Sequence, residues 1–74
     1  MNMNTENQHE LEMWNAKGET LGRKVCADFG HADHWGQRLL GEAGVMGYTI
    51  REIMPDGSLQ FVLEADILGN VATR

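Results

Sequence analysis

Gly47-Tyr48-Thr49-Ile50-Arg51-Glu52-Ile53-Met54-Pro55-Asp56-Gly57-Ser58-Leu59-Gln60-Phe61-Val62-Leu63-Glu64 is the stretch that decides the fold. Tyr48 to Met54 is rich in β-formers, Pro55 to Ser58 is strong turn chemistry, and Leu59, Phe61 and Leu63 recur at period two. The stretch reads as a β-hairpin with one apolar face. A turn centred on Asp56-Gly57 sets Met54 opposite Leu59 and Ile50 opposite Leu63, with Phe61 on that face opposite Glu52. Val62, Ile53 and Arg51 then share the other face.

A half-buried hairpin needs a cover, and the segment before it supplies one. Trp35, Leu39 and Ala43 follow helical spacing, and Leu40 widens the same stripe. Asp33 fits the N-cap or first turn, where a carboxylate meets unpaired N–H groups and the positive end of the helix dipole. Gly41 weakens the helix and Gly44 is a plausible stop. The packing expected from these patterns buries both Trp35 and Phe61 between helix and sheet.

Upstream, Leu11 and Met13 alternate with Glu10, Glu12 and Trp14, as in a strand with one buried face. Asn15-Ala16-Lys17-Gly18 is a turn, and Thr20, Leu21, Val25 and Phe29 continue as a second strand interrupted by Gly22. The order is β-β-α-β-β, an α+β fold with one helix on a small, mostly antiparallel sheet. The expected core is Leu11, Met13, Leu21, Val25, Phe29, Trp35, Leu39, Leu40, Ile50, Met54, Leu59, Phe61 and Leu63. Residues 1–8 are expected as a disordered N-terminal tail, 9–68 as a single domain and 69–74 as a C-terminal tail, with Ile67, Leu68 and Val71 docking on the core.

At 74 residues the chain holds one domain, and such a domain buries only about 60% of its unfolded surface. Dimerisation would reinforce so thin a core, through an edge strand or through Ile53 and Val62 on the second sheet face. Cys26 is the only cysteine, and with no basic or apolar leader before it a reducing, cytoplasmic setting is expected. No apolar run reaches the roughly 18 residues of a membrane span, so no membrane partner is expected.

Lys and Arg total 6 against 11 Asp and Glu, a net charge of −5. Phosphate binding relies on clustered cations, so no direct contact with nucleic acid is expected. Glu52, Asp56, Glu64 and Asp66 instead concentrate negative charge in the C-terminal part, as a docking edge for a protein with a basic surface. Trp14, pointing away from Leu11 and Met13, is the first candidate for an interface anchor.

One constellation resembles a catalytic or metal site: Cys26, Asp28, His31, Asp33 and His34 within nine residues. Cys26, His31 and His34 would suit Zn²⁺, with a fourth ligand from Asp28, Asp33 or His9. Their spacing matches no standard zinc pattern, and a half-buried cysteine usually packs as a small hydrophobe. The expectation is therefore no metal, no cofactor and no catalytic residue. The segment Leu40-x-x-Ala43-Gly44-x-x-Gly47-Tyr48 resembles small bacterial domains that place a helix before a glycine–aromatic strand. The compact, acidic strand–helix–strand layout is similar to small phage proteins that bind and inhibit host enzymes, and the two resemblances together cover roughly residues 32–64. These resemblances transfer no functional residue. The sequence thus supports a small acidic protein-binding module, an inhibitor or regulator rather than an enzyme, with a partner that handles nucleic acid as one form of it.

Overall fold

A computed structural model describes residues 6–74, so residues 1–5 of the tail expected over 1–8 lie outside the described residues. The element order is β1 His9–Trp14, β2 Thr20–Cys26, α1 Phe29–Leu39, β3 Gly47–Ile53, β4 Leu59–Asp66 and β5 Val71–Thr73. The strands form one antiparallel sheet in the order β2-β1-β3-β4-β5, and α1 packs on β1, β3 and β2. This is the α+β arrangement of one helix on a small sheet. Among the described residues, no helix is long and apolar enough to cross a membrane.

The described parts of both expected tails hold structure. The Gln8 carbonyl accepts the Ile53 N–H at 2.8 Å, and the Glu6 carboxylate accepts the Phe29 N–H at 2.8 Å. Asp66 folds the chain back by accepting N–H groups of Leu68 and Asn70, and residues 71–73 pair with β4 as a fifth strand. Ile67 and Leu68 in this turn, and Val71 at the start of β5, stay exposed rather than docking on the core.

Asp28, not Asp33, caps α1. Its backbone is extended, and its carboxylate accepts the His31 N–H at 2.8 Å. The helix stops at Leu39 because the chain turns left-handed at Gly41 (φ 89°), so Ala43 adds nothing to the stripe. The buried positions are Ala32 and Gly36, flanked by Phe29 and Leu40. Trp35 sits one residue, or about 100° of rotation, off that line. It is 36% exposed at the helix flank, with the Lys24 Nζ 5.5 Å from its ring centroid.

The register of β3 and β4 explains the fate of Phe61. The turn closes on Met54 and Ser58, which sets Ile53 opposite Leu59 and Arg51 opposite Phe61. A bulge at Val62 then restores the expected pair of Ile50 with Leu63. One residue of slip reverses the face of every side chain between turn and bulge. Phe61 and Leu59 therefore lie on the face away from α1, 38% and 46% exposed, while Val62 joins Leu63 against the core. Val62 is thus lost to the second apolar face on which a dimer contact was expected.

In β2 the pairs Cys26–His9, Lys24–Leu11 and Gly22–Met13 turn Cys26, Lys24 and Gly22 toward the helix side. Leu21 and Val25, expected in the core, are exposed. The core is Leu11, Cys26, Ala32, Tyr48, Ile50 and Ala65, with Leu11 and Ile50 fully buried. Each of those two contributes about 1.5–3 kcal/mol through burial.

The helix comes close to the sheet at one point. A Cβ on Gly36 would lie 2.5 Å from two ring carbons of Tyr48, so only glycine admits that ring. The Tyr48 hydroxyl donates to Asp33 Oδ1 at 3.0 Å, and burial first, then that carboxylate, pushes the phenol up to about 12.

Two outcomes follow from this contact. Gly36→Ala should destabilise the fold by about 1–3 kcal/mol through overpacking, although alanine favours a helix by about 1 kcal/mol, as measured by urea unfolding. Tyr48 is the sole tyrosine, so ultraviolet absorbance can follow its ionisation. Its folded value of about 12 exceeds the ordinary 10.0, so the stability it adds is full below 10 and is lost as pH rises toward 12. Asp33→Ala should lower the midpoint but leave it above 10.0, because burial remains.

Candidate functional site

The face of the sheet opposite α1 carries Glu10, Glu12 and Trp14 from β1, Gly47, Thr49 and Arg51 from β3, and Glu64 from β4. Alternation places them there: they occupy the positions between the core-facing residues of each strand. No described helix covers this face.

Trp14 is its centre. Trp14 pairs across strands with Gly47, and a Cβ on Gly47 would lie 2.2 Å from the indole Cη2 and Cζ2. The ring therefore fills the space of the missing side chain, an aromatic compensating a strand glycine. The indole N–H donates to Thr49 Oγ1 at 3.1 Å, and the Thr49 hydroxyl donates to Glu64 Oε1 at 3.0 Å. Thr49 is buried, so this chain satisfies a polar group that would otherwise be costly. One threonine thus fixes both the ring and the carboxylate beside it.

Three surface concavities share Trp14. One of about 320 Å³ is lined by Glu12, Trp14, Gly18, Thr49, Arg51 and Glu64. Another of about 130 Å³ runs toward β5 past Glu64 and Asn70, and a third of about 180 Å³ lies beside Met46, Ile67 and Leu68. The backbone around the ring is also tied down: the Trp14 carbonyl accepts from Met46 N–H, and the Met46 carbonyl accepts from Ile67 N–H, both at 2.9 Å.

Charge on this face is unevenly neutralised. Arg51 Nη1 bridges Glu12 Oε1 at 2.7 Å and Glu10 Oε1 at 3.4 Å, and Arg23 approaches Glu12 at 3.6 Å. A hydrogen bond from Thr20, then the Arg51 guanidinium, holds the Glu12 carboxyl below its ordinary value. Glu64 enters no ion pair among the described residues. Glu64, beside Trp14, is thus left without a counter-ion among these residues.

In comparisons with known proteins, no family model, curated protein or solved structure matches the chain. The geometry alone carries the site.

Of the residues expected to meet a partner, the structure brings together Trp14, Glu64 and Asp66, the last opposite Gly47 and lining two of the three concavities that share the indole. Glu52 lies on the helix-facing side opposite His9, held by Asn7 Nδ2 at 2.9 Å and Arg74 at 3.0 Å, which together lower its carboxyl. Asp56 accepts both the N–H and the hydroxyl of Ser58 in the β3–β4 turn. Asp66 is engaged in the β4–β5 turn at the opposite end of β4, so the four carboxylates do not form one edge.

Cys26, His31 and His34 are not gathered either. Cys26 is buried and its thiol is pushed up by burial, His31 Nδ1 lies 2.9 Å from Asp28, and His34 stands edge-on to Trp35. Among the described residues, no three His, Cys, Asp or Glu side chains converge to hold a metal ion. Sequence reasoning missed Thr49, Gly47, Glu12 and Arg51 as parts of the site. The one available signal was a strand glycine one residue before Tyr48, and it becomes informative only once β1 is known to pair with β3.

Thr49→Val should remove the acceptor of the indole N–H and the tether of Glu64 together. The expected cost is about 1–3 kcal/mol, the penalty for a polar group left without its partner. Urea unfolding reads that cost, and a change in the Trp14 indole N–H resonance reads the local loss.

Proposed function

We propose that this protein is a small acidic binding module that occupies a basic surface of a larger protein and acts as its inhibitor or regulator. The observation that carries the reading is the uncovered sheet face built around Trp14, Thr49 and Glu64. An aromatic residue fixed in place loses little conformational freedom on binding, which is the property of an interface anchor. The net charge of −5 adds long-range attraction for a positively charged partner. Where that partner handles nucleic acid, carboxylates such as Glu64 would stand in the place of phosphates. The chemistry is that of binding rather than of turnover.

Affinity capture with the intact chain supplies a partner, and kinetics on the purified pair then test the reading. Glu64→Lys should slow association roughly tenfold at low salt, because steering acts on encounter, with the chain still folded but less stable for want of the Thr49 acceptor. The difference should shrink once charges are screened over about 8 Å at physiological ionic strength. An association rate indifferent to both the reversal and salt would contradict the reading.

A further inference from the structure

We infer that Trp14 is the receptor for a single lysine or arginine side chain of the partner protein, lying over the outer face of the indole with its charge against Glu64. This rests on the acidic-module reading above and names the group that the module recognises.

The geometry leaves the indole one way to meet a ligand. Its inner side fills the space above Gly47, and its N–H is already donated to Thr49. What remains is the outer π-face, whose negative quadrupole attracts a cation within about 6 Å of the ring centroid. No cation of the chain takes that place among the described residues, since the one such contact is Lys24 over Trp35. That contact shows the same pairing at work elsewhere on the same protein.

The neighbouring charge selects the same ligand. Glu64 is held next to the ring by Thr49 and carries no counter-ion, whereas Glu10 and Glu12 are already bridged by Arg51. An anion would be repelled by Glu64. A neutral apolar group would cover a carboxylate without pairing it, which is costly. A lysine or arginine resolves both: its methylene stem lies along the groove of about 320 Å³ and its head meets ring and carboxylate together.

The test uses the full chain carrying Trp35→Phe, so that indole fluorescence reports Trp14 alone, titrated with tetralysine at low ionic strength. The control is the same peptide with every lysine acetylated. Binding should change Trp14 fluorescence and move the Trp14 indole N–H and Glu64 resonances, and the acetylated peptide should not bind. Glu64→Gln, which keeps the acceptor for Thr49, should weaken tetralysine about tenfold, as expected for one partly desolvated cation contact. Trp14→Leu should abolish binding; if that variant fails to fold, resonance mapping on the parent and the Glu64→Gln titration decide. Shifts confined to Glu52 or Asp56 would overturn this inference and spare the acidic-module reading. Binding of the acetylated peptide with equal affinity would overturn it as well. No binding of tetralysine at any residue would overturn both.

Discussion

Two glycines meet two aromatic rings on opposite sides of one strand, and the molecule is arranged around that constraint. Tyr48 projects from β3 into the space of a missing Cβ on Gly36, which lets α1 settle close to the sheet. Its neighbour Gly47 faces the other way and receives Trp14 from β1. Successive residues of a strand point to opposite faces, so these contacts sit back to back across a single peptide bond. The first sets the depth of the core over Leu11 and Ile50. The second sets the centre of the open face.

The remaining architecture follows from how little an eleven-residue helix can cover. α1 spans β1, β2 and β3 and leaves β4 and β5 outside its footprint. The return loop compensates on the covered side, where Leu40 and Val45 are drawn in and Met46 is bonded to both Trp14 and Ile67. The opposite face has no such cover; around Trp14 it is built from charged and hydroxyl groups, with Leu59 and Phe61 exposed toward the β3–β4 turn. Arg51 bridges two carboxylates there, and Thr49 organises a third that has no cation beside it. That difference in compensation, more than the total of negative charge, sets Glu64 beside Trp14 apart from Glu10 and Glu12 on the same face.

Much of this was legible in the chain, and the failures have physical causes. The alternation of Leu11 and Met13 with Glu10, Glu12 and Trp14 gave the correct faces of β1, because that strand is regular against β3. The hairpin's existence and its Ile50–Leu63 pair were equally readable. Phe61 was not, because its face depends on the offset between turn closure and a bulge at Val62, and neither leaves a compositional mark. Trp35 misled for a related reason: its size suggested a core residue, while the helix line toward the sheet runs through the small Ala32 and Gly36. Large apolar residues announce burial, but close approach is made by the residues that have almost no side chain. The site was half legible: Trp14 and Glu64 stood out by type, whereas Thr49, which joins them, is an ordinary strand threonine until two strand pairings are known.

The most direct test of this account is the proton NMR environment of Gly47. With the indole of Trp14 over its α-carbon, the Gly47 Hα resonances should be displaced strongly upfield by the ring current and should show cross-relaxation with the indole ring protons, while Tyr48 ring protons cross-relax with Gly36. Gly47 Hα shifts at ordinary strand values, together with Trp14 contacts to α1, would contradict the two-sided arrangement on which the proposed binding face depends.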